Sequence, residues 1–426
     1  MLLDWLRWIS AFRAEELLLL LSGLLFLDGS RYAFSTLLML AFDVVLWVRD
    51  ELFPRPEPPP YHPHICVLLV GYNEASTIGR TLATVYRSYP SMEIVVVDDG
   101  STDGMAEVAR GFAAEHPGVL VVRREKRGGK SSGMNFGLAL TKAEVVVAID
   151  CDSYLGENSL EILVQPLRDP EVGCVAGTVI VRDPHKKLIV RLQAYEYLRS
   201  IFVGRLISAR LGILGIVSGA YGAFRRDALL RANGWDVGPP EDLDLVLAIR
   251  KSGYKVACAQ YAYCFTKTPE QWKRLFKQRM RWDESGVIRN HCRKHLDMVN
   301  PFAAHFTFAN LAMFLEQWVT NLFTLAGMWI WLVVTAFTHA DQLWNVGVTL
   351  YLGYLVCEVL NALVILAYSS DRERDFRTCL VVPLSPFYQF ALLCQRTLSM
   401  FREGFWRTSF QDNFVPKHVR DVTWHW

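Results

Sequence analysis

Asp150 and Asp152, in the stretch EVVVAIDCDS at 144–153, are the residues whose types and spacing most invite chemistry. The apolar residues 145–149 predict a short buried strand, and side chains at i and i+2 of an extended chain point the same way. Two carboxylates converging at the C-terminal edge of such a strand suit a hard divalent cation, at the edge where open α/β sheets receive ligands. Taken alone they equally suit an acidic turn, since Asp is a common turn former. The choice rests on whether other residues would use a cation there.

Several stretches bear on that question. Gly71-Tyr72-Asn73-Glu74 and Asp98-Asp99-Gly100-Ser101-Thr102-Asp103 each end an apolar run, and their carboxylates can accept hydrogen bonds from a base or ribose. The second also reads as a turn with a helix cap. Residues 123–131, RREKRGGKS, end like a phosphate-cradling P-loop, but the Gly required five residues before Gly129 is Arg124, which excludes that loop. Basic residues at a helix start can still meet a diphosphate, Lys130 foremost. Glu241-Asp242 follows Pro239-Pro240 and opens an apolar-periodic helix, where acidic residues also stabilise the first turn. Gln278-Arg279-Met280-Arg281-Trp282 reads on its own as a basic interfacial helix. His291 and His295 lie four apart with Cys292, Arg293 and Lys294 between them, which predicts a charged surface rather than a metal site.

The elements that must position these residues alternate between residues 65 and 268. Strands are predicted at 65–70, 93–97, 119–122 and 145–149, with helices at 76–87, 103–114 and 131–140 between them, so an α/β domain with a mostly parallel sheet follows. A strand at 174–181, a helical stretch at 188–211, a small-residue run at 217–224 and a helix at 241–252 come next.

The flanks differ. With 426 residues, 52% of them hydrophobic, and a mean hydropathy of +0.18, the chain suits a globular domain with membrane segments attached. Apolar runs at 17–27 and 32–48 predict one or two membrane helices, the second interrupted by Asp43; runs at 302–336, 343–368 and 380–398 predict about three more. The expected layout is therefore an N-terminal membrane segment (1–52), a Pro-rich linker (53–64), the α/β domain (65–268), basic interfacial helices (269–300), C-terminal membrane helices (301–400) and a basic tail (401–426). Lys+Arg 45 against Asp+Glu 43 leaves a net charge of +2, so nothing points to nucleic acid. Nine cysteines without a CxxC pair indicate neither a disulfide framework nor a zinc site, and suit a catalytic domain facing the cytosol.

In this order, a nucleotide loop, a DxD, an ED at a helix start and a QxxRW beside membrane segments, the motifs resemble the processive branch of inverting glycosyltransferase family 2, over about residues 65–282. That branch includes hyaluronan, chitin, cellulose and poly-N-acetylglucosamine synthases. The resemblance implies a GT-A fold, a UDP-sugar donor, Mg2+ or Mn2+ as cofactor, a polysaccharide acceptor in the lipid bilayer, and export or accessory subunits. It puts Asp98 or Asp99 on the uracil, with Tyr72, Asn73 and Glu74 lining the nucleotide pocket and Lys130 near the phosphates or base. Asp152 would hold the cation, with Asp150 beside it or beside the sugar; Asp242 would be the general base; Gln278, Arg281 and Trp282 would hold the diphosphate and acceptor sugar. Residues 218–226 resemble the acceptor-side loop, and Pro239-Pro240 ahead of the ED departs from the small or hydroxyl residue common there. A multi-pass protein of the plasma (inner) membrane with a cytoplasmic catalytic domain follows. Transfer of a single sugar to a lipid acceptor, and a catalytically silent membrane scaffold, are the other readings these motifs leave open.

Overall fold

A computed structural model describes residues 2–26, 28–54, 59–236, 240–411 and 415–423. Residues 55–58 of the Pro-rich linker and Pro239 of the Pro-Pro pair lie outside the described residues. Eight strands form one sheet: β1 (Ile65–Gly71), β2 (Met92–Asp98), β3 (Val119–Arg123), β4 (Val145–Asp150), β5 (Tyr154–Leu155), β6 (Val172–Val181), β7 (Tyr221–Arg225) and β8 (Lys255–Thr266), in spatial order β3-β2-β1-β4-β7-β6-β8-β5.

The first half follows the predicted alternation. β1, β2, β3 and β4 are parallel, and β1 is buried along its whole length because helices cover both of its faces. Ile65, Val67 and Leu69 enter one core while Cys66, Leu68 and Val70 enter the other, as the two-residue period of a strand requires. The second half departs from the mostly parallel expectation: β7 runs antiparallel to both β4 and β6, and β5 antiparallel to β8. The twelve-residue β8, absent from the sequence reading, pairs in parallel with β6 through two register shifts, which break the alternation that would have revealed it.

Register carries the functional ends to one level. Gly71 pairs with Asp98, Asp98 with Arg123, and Val70 with Asp150, so the acidic and glycine-rich turns all leave the same sheet edge. The helix Lys130–Ala139 lies close on β1 because it presents glycines there. A Cβ on Gly133 would collide with Val70 Cγ1, and one on Gly137 would stand 3.1 Å from Leu68 Cδ2. Gly133→Ala should therefore cost about 1–3 kcal/mol, the usual range for overpacking a full core, read as a lower midpoint of thermal unfolding.

Among the described residues, four helical segments are long and apolar enough to cross a membrane: Tyr32–Leu52, Phe308–Thr338, Ala340–Tyr368 and Arg372–Trp406. The run at 17–27 is not among them; it folds as a short helix, Ala14–Leu21, followed by a 3-10 turn at Ser22–Phe26. The α/β domain meets these helices through its helical segment 188–210. Arg199 pairs with Glu358 in the middle of the third apolar helix, Tyr195 OH donates to Glu358 Oε2 at 2.5 Å, and Tyr388 OH donates to Glu196 Oε2 at 2.6 Å. Asp43 pairs with Arg210 and accepts from Tyr368, so this interruption of an apolar run faces protein neighbours.

Candidate active site

At the shared strand ends lies a cavity of about 750 Å³, lined by Tyr72, Glu74, Asp99, Lys130, Asp150, Asp152, Asp242, Gln278, Arg281 and Trp282 among others. Residues spread over more than two hundred positions of sequence thus meet in one space. Two of the residues expected at the nucleotide do not line it. Asp98 is 0% exposed; it accepts from the Ser101 amide at 2.8 Å and lies 3.7 Å from Arg123, so it closes its own turn. Asn73, at φ 62°, receives the Thr102 amide on Oδ1 and donates its own amide to Ser101 Oγ, both at 2.9 Å, which ties the two loops together.

Asp99 faces the cavity and is held by the basic loop that the sequence singled out. The amides of Gly128 and Gly129 donate to its two oxygens at 2.9 and 2.7 Å, and Arg124 Nη1 approaches Oδ1 at 3.1 Å. Gly129 sits at φ +85°, a conformation side chains rarely adopt, and this lets successive amides point at one carboxylate. Burial raises the Asp99 pKa above its ordinary value, against those hydrogen bonds and the charges of Arg124 and Arg127. Asp99→Ala leaves two amides and a guanidinium without their acceptor. A loss of about 1–3 kcal/mol is expected, with weaker nucleotide binding, checked by thermal unfolding with and without UDP.

Lys130 opens the helix Lys130–Ala139 and sits at the centre of the acidic residues. Its Nζ donates to Asp150 Oδ1 at 2.5 Å and to the Gly219 carbonyl at 3.1 Å, and stands 3.7 Å from Glu241 Oε1. Burial opposes its charge, but Asp150, Glu241 and Asp242 outweigh that and hold Lys130 above the ordinary lysine value. Burial, with Asp150 and Glu74 nearby, pushes Asp152 up to about 6. Crowded carboxylates offering only oxygen ligands fit a hard divalent cation, which would relieve that repulsion. Among the described residues no three acidic, histidine or cysteine ligands converge, so Asp150 and Asp152 would hold a cation together with oxygens from a bound diphosphate or water.

Asp242 lies in the first turn of the helix Glu241–Lys251, where the helix dipole favours negative charge. Its Oδ2 accepts from the Gly219 amide at 2.9 Å and its Oδ1 from the Leu243 amide at 2.8 Å. Gly219 therefore serves Lys130 through its carbonyl and Asp242 through its amide. On the side of the apolar helices, Gln278, Arg281 and Trp282 come from the helix Trp272–Asp283, and Trp282 is 41% exposed. The wall continues to Glu316, Gln317 and Asn321 in the apolar helix Phe308–Thr338, beside a π-helical turn at Val319–Phe323.

Sequence reasoning missed two arginines here. Arg279 stacks over the Trp282 ring at 4.3 Å and pairs with Glu196 at 2.9 Å; its spacing of three from Trp282 on a helix was the available signal. Arg205, in the short helix Gly204–Arg210, belongs to no motif and gave no signal. His291 and His295 are corrected as well: both are buried, with His295 Nε2 2.8 Å from Asp244 Oδ1, because the segment packs beneath the first C-terminal apolar helix instead of facing solvent.

This mixed sheet, with acidic strand ends gathered at one cavity, is a GT-A-like fold, the fold of a class of glycosyltransferases. The chain belongs to the glycosyltransferase like family 2, whose model matches residues 62–285. Among solved structures, a mannosyltransferase from Pyrobaculum calidifontis, in complex with GDP-Man and Mn2+, superposes with a TM-score of 0.55 over 82% of this chain and 99% of that one, at 23% identity. Among curated proteins, poly-beta-1,6-N-acetyl-D-glucosamine synthases of Staphylococcus epidermidis and Staphylococcus aureus are each 28% identical over 225 residues, 52% of this chain. The match spans about half of those relatives, 54% of their length.

Proposed function

We propose that this protein transfers a sugar from a UDP-sugar, with inversion, to a hydroxyl of a growing β-linked polysaccharide at the membrane. The observation that carries the reading is a single cavity in which Lys130, Asp150 and Asp152 face Asp242, and whose wall runs on to Trp282 and to the polar face of an apolar helix. A nucleotide, a diphosphate and an acceptor can be held there at once. Mg2+ or Mn2+, bound by Asp152 and Asp150, would supply Lewis-acid neutralisation of the diphosphate.

The chain's own residues perform the rest. Tyr72 and Asp99 line the nucleotide end, and Lys130 keeps positive charge among the carboxylates. Asp242, its carboxylate fixed by two amides, takes the proton of the attacking hydroxyl. The acceptor oxygen forms a bond to the anomeric carbon as the bond to the β-phosphate oxygen breaks, and UDP leaves with that electron pair while Arg281 and Gln278 meet its charge. One displacement turns an α-linked donor into a β-linked product. Trp282 offers its ring face to the acceptor sugar. The four apolar segments and the free cysteines support a protein that crosses the plasma (inner) membrane several times with this domain on the cytoplasmic side.

The test is UDP release by the purified full chain from a panel of UDP-sugars, UDP-N-acetylglucosamine first because the curated relatives are named for that sugar. A labelled, high-mass polymer supports the proposal. A single-sugar lipid product replaces the polymer with the lipid-acceptor reading, and no UDP release with any donor leaves a silent scaffold.

A further inference from the structure

Arg205 belongs to no motif, yet it lines the catalytic cavity at 8% exposure. It stands one residue into the helix Gly204–Arg210, directly after a π-helical turn at Leu198–Val203. Such turns add a residue to the helix, re-aim the side chains beyond it, and recur at functional sites. Arg205 Nη2 donates to Ser218 Oγ at 2.9 Å. Its Nη1 is shut off from solvent and meets no hydrogen-bond acceptor among the described residues. A buried guanidinium nitrogen without an acceptor is costly in a folded protein and points to an absent ligand.

The place of Arg205 says which ligand. Ser218 precedes Gly219, whose amide holds Asp242. One nitrogen of Arg205 thus fixes the loop that supports the proposed base, while the other remains for a group beside that base. Asp242, as the proposed base, has to meet the attacking hydroxyl, so the group held beside it is the acceptor, while Lys130, bonded to Asp150 and to the Gly219 carbonyl, meets the donor's charged end. The wall beside Arg205 suits a sugar ring: Ser200, Gly204 and Ser208 repeat every four residues along one helical face, and all three line the cavity. The Tyr32 ring packs on Gly204, 2.9 Å from where a Cβ would stand, and brings an aromatic edge to the same wall.

Building on the transferase reading above, we propose that Arg205 is an acceptor-binding residue whose Nη1 donates to a sugar oxygen next to the hydroxyl that Asp242 deprotonates. Arg205 then sets which acceptor oxygen faces the anomeric carbon, while donor binding is left to the strand ends.

The test is competition between two acceptors in the full-chain protein, with labelled UDP-N-acetylglucosamine, or the labelled donor found active in the panel. Label transferred to a β-1,6-linked N-acetylglucosamine tetramer and to endogenous polymer is compared with label released as free sugar by transfer to water. In Arg205→Gln the ratio of sugar transfer to hydrolysis should fall about 100-fold, the usual scale for a misplaced reactant, with the donor KM held. Arg205→Lys, which keeps a donor on a long stem, should recover part of the ratio. Ser218→Ala removes the loop bond but not Nη1, and should lower transfer and hydrolysis together. The inference is overturned if Arg205→Gln and Arg205→Lys, each monodisperse in detergent, keep the wild-type ratio, or if their donor KM rises in step with the loss. Should Arg205→Gln fail to fold, the ratio and donor KM of Arg205→Lys decide alone. A wild type that releases no UDP from any donor overturns the transferase reading itself, a separate outcome.

Discussion

Asp242→Asn should lower sugar transfer by about 10²–10⁴-fold, the usual contribution of a general base, while the protein still binds donor. Asn keeps the shape, and its one carbonyl oxygen can still accept the Gly219 amide that now reaches Oδ2 at 2.9 Å, which keeps the loop 218–220 and the Lys130 contact to Gly219 in place at the expense of the Leu243 amide on Oδ1. What disappears is a group able to take a proton from the attacking hydroxyl. Isothermal titration with UDP checks the binding half, and UDP release under saturating donor checks the rate. Glu241, the neighbouring acid, is a poor substitute: partial burial with Asp242 and Asp150 nearby raises its pKa while Lys130 opposes that rise, and its Oε1 stands 3.7 Å from Lys130 Nζ. Asp242→Asn activity within tenfold of wild type would mean that another group takes the proton.

Asp152→Asn should bring the second large loss, roughly 10²–10³-fold, because neutralising a leaving diphosphate is worth several kcal/mol and each 1.4 kcal/mol is a factor of ten. Its signature differs from that of Asp242→Asn. Wild type should stop in excess EDTA and recover on adding Mn2+ or Mg2+, whereas the variant should need far more metal for whatever activity remains. Asp150 could also approach a cation, but its Oδ1 is already taken by Lys130 at 2.5 Å, so Asp152 would bear more of the ligation. A variant with the wild-type metal requirement would remove Asp152 from that role.

What the sequence made legible, and what it hid, follow from how local each feature is. Asp150 was readable because five apolar residues point it at a strand end, and that pattern needs no tertiary information. Asp98 and Asp99 were not separable. Adjacent residues leave a strand toward opposite sides, and which one faces the cavity depends on the loop at 124–129, whose Gly128 and Gly129 amides close on Asp99. The long apolar helices were legible because length and apolarity suffice, but the run at 17–27 was too short to span and folded otherwise. The π-helical turns at Leu198–Val203 and Glu284–Lys294 hid Arg205 and the burial of His291, since each shifts the helical face that a 3.6-residue period would assign. β8 escaped for a related reason: its register shifts fall where alternation would have to hold.

A single displacement at the anomeric carbon, with Asp242 as base, fixes the configuration of the new linkage. Purified protein is given an α-linked UDP-sugar labelled with 13C at the anomeric carbon, and the first product is read by NMR before any further processing. Wild type should form a β-linkage and Asp242→Asn nearly none. An α-linked product, or a β-linked product made equally fast by both proteins, would contradict it.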